Sequence, residues 1–165
     1  MNEFNPETSS DTILVAEDEP GDLLYIQDLF ERARIRNPIQ VVGDGQATIN
    51  YLEADGIYTV RELYPFPVLL MLDLVMPKKS GWEVLSWMAT RPQKLPLDVV
   101  VVSNATDFES QRMAFECGAR SFLSKPFGLE SLVNLFNALS YAHVESRADG
   151  YELRHSEYRP IAWFV

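Results

Sequence analysis

Five short runs of branched aliphatic residues constrain the fold of this chain more than any other feature. They are Ile13-Leu14-Val15-Ala16, Ile39-Gln40-Val41-Val42, residues 68–72, residues 99–102 and Ser121-Phe122-Leu123. A strand with one wet face alternates apolar and polar residues. Most of these runs are apolar at every position, the pattern of strands covered on both sides, as in a parallel sheet between helices.

Helical patterns separate the runs. Leu23, Ile26, Phe30 and Ala33 recur at helical spacing behind Pro20, a residue suited to a first turn. Residues 46–54 read as a second helix, and Val84, Leu85 and Met88 mark a third that stops near Pro92. Thr106 with Glu109 forms a capping box that opens a fourth. Leu129, Leu132, Val133, Phe136 and Leu139 form the apolar stripe of a fifth. Alternating strand–helix units predict an α/β fold, a doubly wound five-stranded parallel sheet with right-handed crossovers. Functional groups of such sheets gather at the C-terminal ends of the strands.

Two segments lie outside this scheme. Residues 55–67 form a long connection with room for an irregular turn. Residues 144–165 follow the fifth helix, polar through Glu145 to Gly150 and apolar at Ile161, Trp163, Phe164 and Val165. Large apolar groups left in water forgo about 1.5–3 kcal/mol each on burial. The tip is therefore expected to dock on its own domain or on a second copy, which leaves a homodimer open.

The 165 residues suit one domain, with residues 1–11 as a flexible N-terminal tail, 12–143 as the folded unit and 144–165 as a C-terminal extension. Fourteen basic against twenty-four acidic residues give a net charge of −10, so nucleic acid is not an expected partner. The single cysteine, Cys117, reads as a helix-end or core residue and fits a reducing compartment. No signal peptide or membrane-length apolar run is legible, which predicts a soluble cytoplasmic protein with no membrane partner. His143 and His155, in or after the last helix, are too few for a metal site.

The residues that follow the strands carry chemistry. Glu17, Asp18 and Glu19 follow the first, Asp73 ends the third, Ser103 ends the fourth, and Lys125-Pro126 follows the fifth. Crowded carboxylates repel one another unless a cation sits among them. Hard oxygen ligands suit Mg²⁺, which Asp18 and Asp73 could bind directly and Glu17 through a water. A carboxylate can accept a phosphoryl group, Lys125 can supply a point charge to it, and Ser103 a hydroxyl. Singly, each has a plainer reading. Acidic residues after a strand favour a helix N-terminus, Asp73 could be a turn residue, Ser103 a cap, and Lys125 a solvated side chain. Their joint placement at four strand ends favours the phosphoryl-acceptor reading.

As a set, these motifs resemble the receiver domain of two-component response regulators, a flavodoxin-like fold of strand order 2-1-3-4-5. The resemblance covers about residues 12–143. It rests on Ile13-Leu14-Val15-Ala16-Glu17-Asp18-Glu19-Pro20, Met71-Leu72-Asp73-Leu74-Val75-Met76-Pro77 with Gly81, Val101-Val102-Ser103-Asn104, and Ser124-Lys125-Pro126. Asp73 and Ser103 lie 30 residues apart, and Ser103 and Lys125 22 apart, as is usual in the family. The long connection before the third strand resembles the stand-alone subfamily that serves bacterial phytochromes.

The resemblance implies that Asp73 is the phosphoacceptor and that Glu17 and Asp18 bind Mg²⁺, joined by Asp73 and the backbone carbonyl of Val75. It implies that Lys125 contacts the phosphoryl group, that Ser103 and Phe122 are switch residues, and that the Lys125-Pro126 bond is cis. The implied partners are a sensor histidine kinase and a downstream protein; the implied activity is a signalling phosphoacceptor that catalyses only its own phosphorylation and dephosphorylation. Glu17 stands where Asp is commoner, Ser103 replaces Thr, and Asn104 stands where a small residue is common, at the phosphoryl entrance.

Other classes are less favoured. A phosphorylation-independent interaction module would not need Asp73, Asp18 and Lys125 together. A phosphatase of the haloacid dehalogenase type wants a second Asp where Val75 stands. A flavin carrier wants a phosphate-cradling loop where Glu17-Asp18-Glu19 would repel it.

Overall fold

The computed structural model describes residues 11–156. Its elements run β1 (Thr12–Ala16), α1 (Pro20–Arg32), β2 (Ile39–Val42), α2 (Gly45–Glu53), a 3₁₀ turn (Gly56–Thr59), β3 (Pro67–Leu72), α3 (Gly81–Ala89), β4 (Asp98–Ser103), α4 (Phe108–Glu116), β5 (Ser121–Ser124), α5 (Leu129–Phe136), β6 (Ala142–Arg147) and β7 (Gly150–His155). The first five strands form a parallel sheet of order β2-β1-β3-β4-β5. This is the expected flavodoxin-like fold.

The period-two geometry of strands divides the core in two. Ile13, Val15, Leu69, Met71, Val100 and Val102 face α1 and α5, packing on Ile26, Phe30, Leu132 and Phe136. Leu14, Ala16, Leu70, Leu72, Val99 and Val101 face α2, α3 and α4, packing on Leu52, Val84, Leu85 and Ala114. The order reverses between β1 and β3. Chain connections leave these neighbours on opposite faces of the sheet, so a crevice opens beyond their C-terminal ends.

Two local expectations are corrected. The fourth helix is capped by Asp107, whose carboxylate accepts from the Ser110 N–H, not by Thr106. A carboxylate at the N-cap gains from the helix dipole as well as from the bond. The fifth helix stops at Phe136, short of Leu139. Residues beyond it form an antiparallel hairpin, β6–β7, so His143 and His155 lie on strands.

The hairpin is bound to the opposite end of the sheet from the crevice. Leu153 is 0% exposed and joins the α1/α5 core, with Ala142 beside it. The Asn37 side chain acts like a neighbouring strand: its oxygen accepts from Leu153 N–H at 2.7 Å and its nitrogen donates to Leu153 C=O at 2.8 Å. Arg36 N–H donates to Tyr151 C=O and Tyr151 N–H to Arg34 C=O, each at 2.8 Å. Buried Asp98 accepts from the Ser140 and Tyr141 N–H groups at the hairpin's entry. The apolar tip at Ile161, Trp163, Phe164 and Val165, expected to dock, lies outside the described residues.

Candidate functional site

Backbone hydrogen bonds extend the parallel ladder one residue past the strands and fix the site in register. Glu17 N–H donates to Val42 C=O at 3.0 Å, Asp73 N–H to Ala16 C=O at 3.0 Å, and Lys125 N–H to Ser103 C=O at 2.8 Å. Glu17, Asp73 and Lys125 therefore sit at one edge, because β1 and β3 are neighbours and β4 joins β5 to them, although they are far apart in sequence.

The loop after β3 is held by close packing at Gly81, the first residue of α3. A Cβ there would lie 2.1 Å from the Asp73 carbonyl oxygen and 2.8 Å from Leu74 Cα. Only glycine lets α3 approach the acceptor loop this closely. Ser80 and Glu83 close a reciprocal capping box at the same helix start. Val75 N–H donates to Asp73 Oδ1 at 3.0 Å, which orients the carboxylate.

Lys125 reaches three carboxylates. Its Nζ lies 2.6 Å from Glu17 Oε2, 2.7 Å from Asp22 Oδ2 and 2.8 Å from Asp73 Oδ2. Burial alone would lower the Lys125 ammonium. Its hydrogen bonds to Asp22, Asp73 and Glu17 outweigh burial and hold it above the ordinary lysine value. Burial pushes the Glu17 carboxyl up, opposed by Lys125 and by the Glu19 N–H.

Glu17, Asp18 and Asp73 each offer an oxygen within 4.8 Å of the others, and Glu17 and Asp73 are buried while Asp18 is exposed. Three hard oxygen donors facing one another, with a single ammonium as compensating charge, fit a divalent cation such as Mg²⁺. The Val75 side chain is exposed, and its residue sits two beyond Asp73.

The other expected residues take their places around this edge. Ser103 is buried at the end of β4, and its Oγ accepts from Ala105 N–H at 3.1 Å. Phe122 is half-buried on β5 and packs against the α2/α3/α4 core. The Lys125-Pro126 bond is cis. Asn104 is exposed and lines an open cleft with Asp22, Tyr25, Lys125 and Phe127.

Asp22 escaped the sequence reading. It lies in the first turn of α1, where an acidic residue has a sufficient explanation in the helix dipole. Four residues after Asp18 is the only spacing signal, and only the β5 end reveals that the side chain meets Lys125.

The response regulator receiver domain family matches residues 13–137. The chain belongs to that family. Response regulator Rcp1 of Synechocystis is 28% identical over 134 residues, 81% of this chain and 89% of that protein. The Mn²⁺-bound crystal form of response regulator Rcp1 superposes with a TM-score of 0.64 at 29% identity, covering 76% of this chain and 88% of that one. The bacteriophytochrome response regulator RtBRR superposes with a TM-score of 0.75 at 26% identity, covering 86% of this chain and 84% of that one. Receiver domains are signalling modules, not enzymes acting on a separate substrate, and the acidic cluster of this receiver lies where its fold gathers functional groups. Among the described residues no helix is long and apolar enough to cross a membrane.

Proposed function

We propose that this receiver accepts a phosphoryl group on Asp73 from the phosphohistidine of a sensor histidine kinase, in a reaction dependent on Mg²⁺, and signals through a protein-binding surface. The observation that carries this reading is the convergence of Glu17, Asp18 and Asp73 with Lys125 at the switch point of the sheet. An aspartate placed only for structure would not need a buried ammonium and two further carboxylates beside it.

In the transfer, an oxygen of the Asp73 carboxylate attacks phosphorus in line. The new O–P bond forms as the P–N bond to the donor imidazole breaks, and the leaving nitrogen keeps the electron pair and takes up a proton. Val75 N–H holds the other Asp73 oxygen and so orients the nucleophile. Lys125 supplies positive charge to the arriving phosphoryl oxygens. Glu17, Asp18, Asp73 and the Val75 carbonyl would hold Mg²⁺. The ion would neutralise the charge that accumulates on the oxygens during transfer.

Rcp1 with bound Mn²⁺ supports the metal assignment by similarity. The two phytochrome-linked features, the RtBRR likeness and the long connection before β3, favour a photoreceptor kinase as donor. Incubation with acetyl phosphate and Mg²⁺ should add one phosphoryl mass to the wild type and none to Asp73→Asn. Equal labelling of the two proteins would refute the acceptor assignment.

A further inference from the structure

We propose that Asp22 is a positioning residue that competes with the phosphoryl group for Lys125 and so restrains the response of the site to phosphodonors. The inference rests on the phosphoacceptor reading above and adds a determinant that this reading does not contain.

An ammonium has three N–H donors. All three of Lys125's have a carboxylate partner here, at 2.6 Å to Glu17, 2.7 Å to Asp22 and 2.8 Å to Asp73. A phosphoryl oxygen therefore gains Lys125 only by displacing a carboxylate. Glu17 and Asp73 belong to the cluster suited to a cation, which would draw their oxygens away from Lys125. Asp22 does not belong to it. With the cation in place, Asp22 is the partner left to compete.

Position supports the same role. The Asp22 side chain is 41% exposed, against 1% for Glu17 and 8% for Asp73. It lines the open cleft together with Lys125, Asn104, Tyr25 and Phe127. Its charge adds to the two other carboxylates, Glu17 and Asp73, that face the same ammonium, and a phosphodonor is itself an anion. Like charge focused in a cleft lowers the local concentration of such a ligand. The helix dipole accounts for an acidic residue in this turn but not for its 2.7 Å bond to a buried ammonium at the end of a distant strand.

Asp22→Asn keeps shape and an acceptor oxygen but removes the charge; Asp22→Glu keeps the charge. With saturating Mg²⁺, Asp22→Asn should lower the half-saturating concentration of acetyl phosphate by about threefold or more, with the maximal rate changed much less. Its affinity for beryllofluoride, measured by calorimetry, should rise in parallel, and Asp22→Glu should stay near the wild type in both. A purely structural role would instead lower the maximal rate and the melting temperature and leave half-saturation alone. Unchanged or weaker half-saturation in Asp22→Asn, with beryllofluoride affinity no higher, overturns the proposal. If the wild type takes up neither phosphoryl group nor beryllofluoride, the phosphoacceptor reading itself fails. If the wild type does both and Asp22→Asn matches it, only the competing role of Asp22 fails.

Discussion

Glu17 is 3% exposed, and burial pushes its carboxyl above the usual range even though Lys125 and the Glu19 N–H pull it down. The folded state thus binds the Glu17 proton more tightly than the unfolded state does. That contribution is present below the ordinary glutamate value and is lost as pH rises through the raised one, so near neutrality the charged carboxylate is a burden. A divalent cation would relieve it by mass action. Mg²⁺ should therefore raise the melting temperature of the wild type. Asp18→Ala should largely abolish that increase while the metal-free melting temperature holds, because Asp18 is exposed and Glu17 keeps its bond to Lys125. Melting curves of the wild type that coincide with and without excess Mg²⁺ would count against the cation site. Most of this cluster was legible because Glu17, Asp18, Asp73, Ser103 and Lys125 each follow a recognisable strand. Asp22 was not, because its partner is set by the adjacency of α1 to the end of β5, which no local pattern encodes.

At the scale of elements, two contacts should separate site geometry from stability. Gly81→Ala puts a methyl group against the Asp73 carbonyl, so α3 or the acceptor loop must shift. Overpacking of this kind costs about 1–3 kcal/mol. Phosphorylation by acetyl phosphate should slow more than it does in a control of matched stability, since the loop carrying Asp73 moves. An Ala variant with wild-type melting and labelling would show that the loop tolerates the contact. Leu153→Ala removes a fully buried side chain of β7 and should destabilise by about 2–5 kcal/mol, read by denaturant unfolding. A change below about 0.5 kcal/mol would mean that the hairpin is not part of the cooperative core. The central strands announced themselves because water is excluded from both of their faces. The hairpin did not, because β6 buries Ala142 and leaves His143, Val144 and Glu145 to solvent or half-exposed. Its order comes from tertiary partners, Asn37, Arg36 and Asp98, and not from an apolar period. The fourth helix is capped by Asp107 for a related reason: both Thr106 and Asp107 are competent caps, and only backbone geometry chooses between them.

Across the whole molecule, the acidic site and the hairpin occupy opposite ends of one sheet, so stability and signalling should be separable. Leu153→Ala, held below its melting temperature, should be phosphorylated at close to the wild-type rate. The switch should run sideways from the site instead. A phosphoryl group on Asp73 would draw Ser103 from its Ala105 partner through a charge-assisted hydrogen bond, and half-buried Phe122 would turn into the space vacated. Such a turn would remodel the surface of α4, β5 and α5, where Phe108, Met113, Phe115 and Val133 are exposed. A crystal structure of the beryllofluoride complex with Ser103 and Phe122 unmoved would contradict this route. The most direct measurement concerns the acceptor itself. Wild-type protein is incubated with acetyl phosphate and Mg²⁺, reduced with borohydride, which converts an acyl phosphate to an alcohol, and digested for peptide mass spectrometry. Homoserine at position 73, absent when Mg²⁺ is chelated, is the predicted result; reduction at another carboxylate, or at none in a protein that carries the phosphoryl mass, would contradict it.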